Sequence, residues 1–210
     1  MSDYRRYRPD NFPPVVKYLI ITNVAVFFAQ RMLDAEFDLT GKLALYPVTL
    51  PQFKAYQIIT HMFAHSPVML FHIIFNMFGL WMFGKILENV WGPKRFLNFY
   101  LLSGIGAAII HLIIQHLTGN YSSAVGASGA IMGIFAAFAY LFPNTELFIM
   151  FIPVPIKAKW AVLGLAAYDL FGGVANSAGD NVAHFAHLGG ALTGFIIVLI
   201  WNKTDKRRFY

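Results

Sequence analysis

The chain has 210 residues, of which 58% are hydrophobic and only 12% charged, and its mean hydropathy is +0.57. About a quarter of the residues of a soluble domain are charged, so this composition excludes one and describes an integral membrane protein. The formal charge of +6 lies in short clusters between apolar runs, which orients a membrane protein rather than gripping nucleic acid, and the absence of cysteine excludes disulfides and thiol chemistry.

Residues 1–14, "MSDYRRYRPDNFPP", lack the basic-then-apolar design of a cleaved signal and read as a short polar cytoplasmic tail. Six segments then approach the ~20 apolar residues that a spanning helix needs: 15–33, 68–87, 95–117, 124–142, 157–172 and 183–202. Ser66 and Pro67 supply an N-cap and a first helical position for the second span. Residues 203–210 form a basic cytoplasmic tail. The expected fold is all-α: a polytopic, compact bundle of six transmembrane helices within residues 15–202. With the N-terminus inside, the inner segments hold thirteen of the sixteen Lys and Arg residues, leaving Arg31, Lys42 and Lys54 outside. Both termini are therefore expected to be cytoplasmic. The outer connection from about 34 to 66 is long and carries Tyr46, Phe53 and Tyr56, so it is expected to lie partly embedded at the membrane surface.

Spans two, four and six run in the same direction. His72, Ser128 and His187 each fall about four or five residues into them, roughly 6–8 Å below the helix starts. All seven histidines map to the outer half. Ser128 sits in "VGASGAIMG", within a tract that has no charged residue between Arg95 and Glu146. Gly126, Gly129 and Gly133, like Gly190 and Gly194 in "HLGGALTG", suit close helix–helix contacts, and joining the two faces would bring Ser128 to His187. A serine hydroxyl becomes a useful nucleophile when a base takes its proton, and a neutral imidazole is such a base. His72 and Asn76 are four residues apart on one helix face and can donate two hydrogen bonds to a small anion. The acidic residues available on the outer side are Asp34, Glu36, Asp38 and Asp180, with Asp169 near the end of span five. None has a natural place beside His187, so a Ser–His dyad is expected rather than a triad.

With these residues in view, the chain resembles the rhomboid family of intramembrane serine proteases, from about residue 15 to 202. "GASG" (126–129) is similar to the family's GxSG motif, "AHLGGALTG" (186–194) to AHxxGxxxG, and "HIIFN" (72–76) to HxxxN, while "THMFAH" (60–65) looks like the end of its first loop. The resemblance implies Ser128 as nucleophile, His187 as base, and His72 and Asn76 as oxyanion-stabilising groups. It implies transmembrane protein substrates in the lipid bilayer, no cofactor and no metal, and sets no oligomeric state. Two positions depart from the family pattern. Tyr56-Gln57 stands where many members carry Trp-Arg, and Met132 where an aromatic residue often underlies the catalytic histidine. Gating by span five or the loop before span six is likewise implied by resemblance alone.

Two rival readings are a non-catalytic relative that binds membrane clients, and a metal-dependent enzyme built on the pairs in "HMFAH" and "HFAH". The compact form and orientation lead to the expectation of a bacterial inner (plasma) membrane, with the site open to the outer side.

Overall fold

The computed structural model describes residues 9–119, 122–148, 154–175 and 183–204. Most of the basic tail, most of the N-terminal tail, Asp180 and the loop before the last span lie outside them. The chain enters α1 (Pro14–Phe37), with proline in its first turn. The Glu88 carboxylate accepts from the backbone N–H of Val15 (2.9 Å) and Val16 (2.8 Å), satisfying two donors that the helix start leaves open. Asp38 ends α1 in the left-handed region at φ 47°, and its side chain accepts from Gly41 N–H as α2 (Leu39–Leu43) begins. The connection that follows contains the short α3 (Gln57–Thr60).

The second span is α4 (Leu70–Gly79), a π-helical turn (Leu80–Gly84) and α5 (Lys85–Trp91). It begins at Leu70, not at Pro67 as expected. Ser66 still serves the entry, its hydroxyl accepting from Met69 N–H at 3.3 Å. Gly92, at φ 82°, breaks the chain before α6 (Pro93–Thr118). Then come α7 (Ser128–Leu141), a two-residue hairpin pair β1 (Glu146–Leu147) and β2 (Ile156–Lys157), α8 (Ala158–Ala175) and α9 (His184–Thr204). Among the described residues, four helical stretches are long and apolar enough to cross a membrane: Pro14–Phe37, Leu70–Trp91, Pro93–Thr118 and His184–Thr204. The shorter apolar α7 has 14 residues. It starts at Ser128 because residues 122–127 are drawn into loop contacts, so the expected start at 124 is corrected.

Apolar burial cannot drive helix association in lipid, so close backbone approach must contribute. The centre of the bundle is α6, α7 and α9, in contact through small residues. A Cβ on Gly190 would collide with the carbonyl oxygen of Gly129, and one on Gly194 would lie 2.6 Å from Gly133 Cα. On α6, Ala107 backs Gly129 and Ser103 backs Gly133. Toward the other end the core becomes aromatic: Phe83 packs edge-on against Phe135 and Phe138, each with centroids 4.8 Å apart, and Trp91 meets Trp201 at 5.4 Å. Asp10 N–H donates to Asn89 Oδ1 near the same end. The chain therefore enters and leaves the bundle on one side. The outward faces carry exposed Tyr18, Phe28, Phe71, Phe75, Leu163 and Phe171, which suits a lipid surround.

Candidate active site

The site lies at the opposite end, where the loops meet. Ala124 and Leu45 exchange two backbone hydrogen bonds of 2.9 Å in an isolated antiparallel bridge. Gly126 N–H donates to the His61 carbonyl at 2.9 Å. Together these contacts suspend the turn before α7 from the first loop. Gly126 has φ 128°, a conformation that needs glycine. A Cβ there would lie 2.8 Å from His72 Nε2 and 3.6 Å from Ser128 Oγ. Gly126 is thus a loop residue that leaves space between His72 and Ser128, correcting the expectation that it packs helices. Gly129, Gly133, Gly190 and Gly194 do line the contact between α7 and α9.

Ser128 is the first residue of α7 rather than a residue one turn inside it. No side chain caps the helix, so its first-turn N–H groups and the positive end of its dipole lie beside the hydroxyl. His187, in the first turn of α9, is reached across the glycine contact. Ser128 Oγ donates to His187 Nε2 at 2.8 Å. The other ring nitrogen, Nδ1, donates to Asp169 Oδ1 at 2.9 Å, and His184 Nδ1 donates to the same oxygen at 2.8 Å. The expectation that no carboxylate lies beside His187 is corrected: Asp169 of α8 does, and it is buried. α8 and α9 run antiparallel, so the last turns of one meet the first turns of the other. Depth matching, applied above to Ser128 and the histidines, was the signal that could have found this residue.

His72 is oriented by the loop that precedes its helix. Ser66 N–H donates to His72 Nδ1 at 3.2 Å, so the ring hydrogen sits on Nε2, the nitrogen that borders the space beside Gly126 and Ser128. Asn76, one turn deeper on α4, donates from Nδ2 to the His72 carbonyl at 2.7 Å. Its Oδ1 is buried with no hydrogen-bond partner among the described residues. One of its two amide hydrogens is therefore spent on its own helix, and among the described residues no hydrogen bond joins Asn76 to Ser128.

Two further histidines, His61 and His65, support this frame. His61 Nδ1 donates to the Gln57 carbonyl at 2.8 Å. His65 is tied to Gln30 by two backbone bonds, its N–H to Oε1 at 3.0 Å and its carbonyl from Nε2 at 2.9 Å. Its ring lies 5.1 Å from that of His72. Burial pushes both His61 and His65 down to about 4, so both are neutral at ordinary pH. Gln57, one half of the Tyr56-Gln57 departure, is buried in the loop. Its Oε1 accepts from Tyr46 N–H (3.4 Å) and Lys54 N–H (3.1 Å), while Nε2 donates to the carbonyls of Lys42 (3.4 Å) and Gln52 (3.0 Å). A neutral amide can hold the loop because it both donates and accepts. Met132, the other departure, is buried on α7. Among the described residues, no three His, Asp or Glu side chains are grouped so as to hold a metal ion.

The rhomboid domain family matches residues 52–203. Relatives include the mitochondrial presenilin-associated rhomboid-like protein of Bos taurus, 34% identical over 142 residues, which cover 65% of this chain and 37% of that protein. The mitochondrial RHOMBOID-like protein 12 of Arabidopsis thaliana is 27% identical over 212 residues, covering 93% of this chain and 60% of the relative. The mitochondrial rhomboid protein 1 of Saccharomyces cerevisiae is 32% identical over 141 residues, 66% of this chain and 40% of the relative. The chain thus spans between about a third and three-fifths of the length of these relatives. Their names overturn the expected bacterial inner membrane, because each is designated mitochondrial. The domain match takes in both the turn that carries Ser128 and the helix that carries His187, and extends over most of the sequence: the chain belongs to the rhomboid family.

Proposed function

We propose that this protein is an intramembrane serine endopeptidase that cleaves other membrane proteins in or near their transmembrane segments. The observation that carries the reading is the 2.8 Å bond from Ser128 Oγ to His187 Nε2, at the start of an uncapped helix. As Oγ attacks the scissile carbonyl carbon, its proton moves to Nε2. The carbonyl oxygen becomes an oxyanion, received by His72 Nε2–H and the first backbone N–H groups of α7. Such donors contribute ~3–4 kcal/mol each in a water-poor site. His187 then returns the proton to the leaving amide nitrogen as the C–N bond breaks, leaving an acyl-serine. A water molecule, deprotonated by the same imidazole, attacks the ester and restores Ser128. Asn76 contributes through its second amide hydrogen. A helix shields its peptide bonds, so substrates must unwind locally, which favours small or helix-breaking residues near the cut. The relatives' names support a mitochondrial membrane as the setting.

The test uses purified, detergent-solubilised protein, a fluorophosphonate probe for activated serines and a model transmembrane substrate. Labelling and cleavage are expected in the wild type, absent in Ser128→Ala and His187→Ala, and unchanged by chelator. A folded wild type that neither labels nor cleaves would refute catalysis and leave client binding as the reading. Activity lost to chelator would point to the metal-dependent alternative.

A further inference from the structure

The helix α8 has a peculiar buried surface. Of its 18 residues only Ala158, at its start, and Asp169 are buried. Leu163, Leu165, Tyr168, Leu170, Phe171 and Val174 all face outward. A helix that exposes its apolar side chains and buries an aspartate must supply that group with partners, because an ionisable group inside a membrane is costly without them. Here it has two, the Nδ1–H groups of His184 and His187, both on Oδ1. The helices come close enough because glycines face α9: a Cβ at Gly172 would collide with the His184 ring, and one at Gly173 would lie 3.0 Å from the Phe185 ring.

We infer that Asp169 is a positioning residue for the base: by accepting His187 Nδ1–H it leaves the Nε2 lone pair facing Ser128, so His187 is competent only while α8 is docked on α9. The inference rests on the proposal that Ser128 and His187 are nucleophile and base. A neutral imidazole carries one ring hydrogen. If that hydrogen were on Nε2, the ring could only donate toward Ser128 and could not accept its proton. A hydrogen-bonded carboxylate settles the choice, fixes the ring plane and stabilises the imidazolium that forms during attack. Asp169 takes no proton in this step; the proton leaves Ser128 Oγ and arrives at His187 Nε2. His184 holds the carboxylate from the other side, so that Oδ1 stays aimed at Nδ1. The base and its orienting group sit on different helices, and a shift of α8 away from α9 would remove the second from the first without moving Ser128.

The experiment combines kinetics with 15N NMR of the histidine rings in protein reconstituted in lipid, His187 being assigned by difference from the His187→Ala spectrum. Wild-type His187 is expected as the Nδ1–H tautomer. Asp169→Asn should lower kcat by about 10²-fold or more with KM changed less than about threefold, and should shift the ring away from that tautomer. Asp169→Glu, which keeps the carboxylate, should restore part of kcat. His184→Gln, which leaves the bond to His187 in place, should lose less than about tenfold. A wild-type His187 with its hydrogen on Nε2 overturns the inference without any variant. So does Asp169→Asn with kcat within about threefold of wild type while Ser128→Ala and His187→Ala are inactive. If instead those two variants retain activity, the nucleophile–base reading fails, while the tautomer still reports on the contact between Asp169 and His187.

Discussion

Gly126 offers the most direct handle on the oxyanion side of the site, because its role follows from one angle and two distances. Substituting alanine imposes two separable costs. At φ 128° a residue with a Cβ is strained by about 1–3 kcal/mol. That cost falls on stability and corresponds to a few degrees of melting temperature in a chain of this size. The new methyl would also lie 2.8 Å from His72 Nε2 and 3.0 Å from Cε1, against 3.6 Å from Ser128 Oγ. The imidazole must therefore give way, and the space between it and the nucleophile is filled. Losing one oxyanion donor is worth ~3 kcal/mol, or ~10² in kcat. Gly126→Ala is thus expected to remain folded, to melt slightly lower and to cleave a model transmembrane substrate at least ~10²-fold more slowly. His72→Ala should produce a similar deficit. Because both changes remove the same donor, the double variant should be scarcely worse than either single one, a coupling that a thermodynamic cycle measures directly. A Gly126→Ala enzyme within about threefold of wild-type kcat would refute the placement of the oxyanion beside His72. Full additivity with His72→Ala would refute their common action.

Other perturbations test the frame. Gly190→Ala would force its methyl against the Gly129 carbonyl and spread α7 from α9. An overpacking cost of about 1–3 kcal/mol is expected, with loss of fluorophosphonate labelling before any loss of helix content by circular dichroism; undiminished labelling would show that the glycine contact does not set the Ser128–His187 distance. Gln57→Ala removes two good and two long hydrogen bonds from the first loop, about 2–4 kcal/mol in all. Limited proteolysis should then cut within residues 38–60 well below the temperature at which wild type is cut, and equal resistance would count against the anchoring role. Acid should also weaken the fold. His61 and His65 take a proton near 6.5 when unfolded but only near about 4 when native, so the unfolded state binds more protons between those values. Stability is expected to be full above about pH 6.5, to fall by up to ~3 kcal/mol per histidine as pH drops to about 4, and to level off below. A melting temperature in detergent that stays flat from pH 7 to 4 would contradict this.

Much of the arrangement is legible in the sequence because bilayer thickness and small-residue spacing are strong local signals. The six apolar segments become helices close to their expected ranges, and the glycine pairs at 129/133 and 190/194 face each other. What escapes is decided by contacts distant in sequence. Ser128 opens its helix because Leu45 and His61 hold the preceding turn through backbone bonds, and the sequence of that turn carries no mark of partners some 65 to 80 residues away. Gly126 reads as one more helical glycine until its φ is known. Asp169 stands among the candidate acids near the end of span five, but its local sequence gives it no place beside His187, because that pairing is set by how α8 meets α9. Gln57 ties the loop with a four-bonded amide where the resemblance sets arginine in many members, and hydrogen-bonding capacity of that kind has no motif.

These long-range contacts change the role that the first loop plays in the chemistry. It is a structural wall of the site rather than a cover over it. One part, Leu45, fixes the strand-like turn before the nucleophile; a second, the His61 carbonyl, fixes the N–H of Gly126. A third, the backbone N–H of Ser66, takes up His72 Nδ1 and thereby puts the ring hydrogen on the side of Ser128. The loop itself is fastened to α1 through Gln30 and through the Arg31 guanidinium on the Pro67 carbonyl. Ser128, Gly126 and the His72 ring are thus held from the side of α1 and the first loop, whereas the His187 ring is held from the side of α8 by Asp169. The two halves touch at the Ser128–His187 bond and at the glycine seam behind it. On the proposed proteolytic reading, a site divided in this way keeps Ser128 and the donors beside it in place while the α8 side moves, the division that admitting a substrate laterally without losing alignment requires.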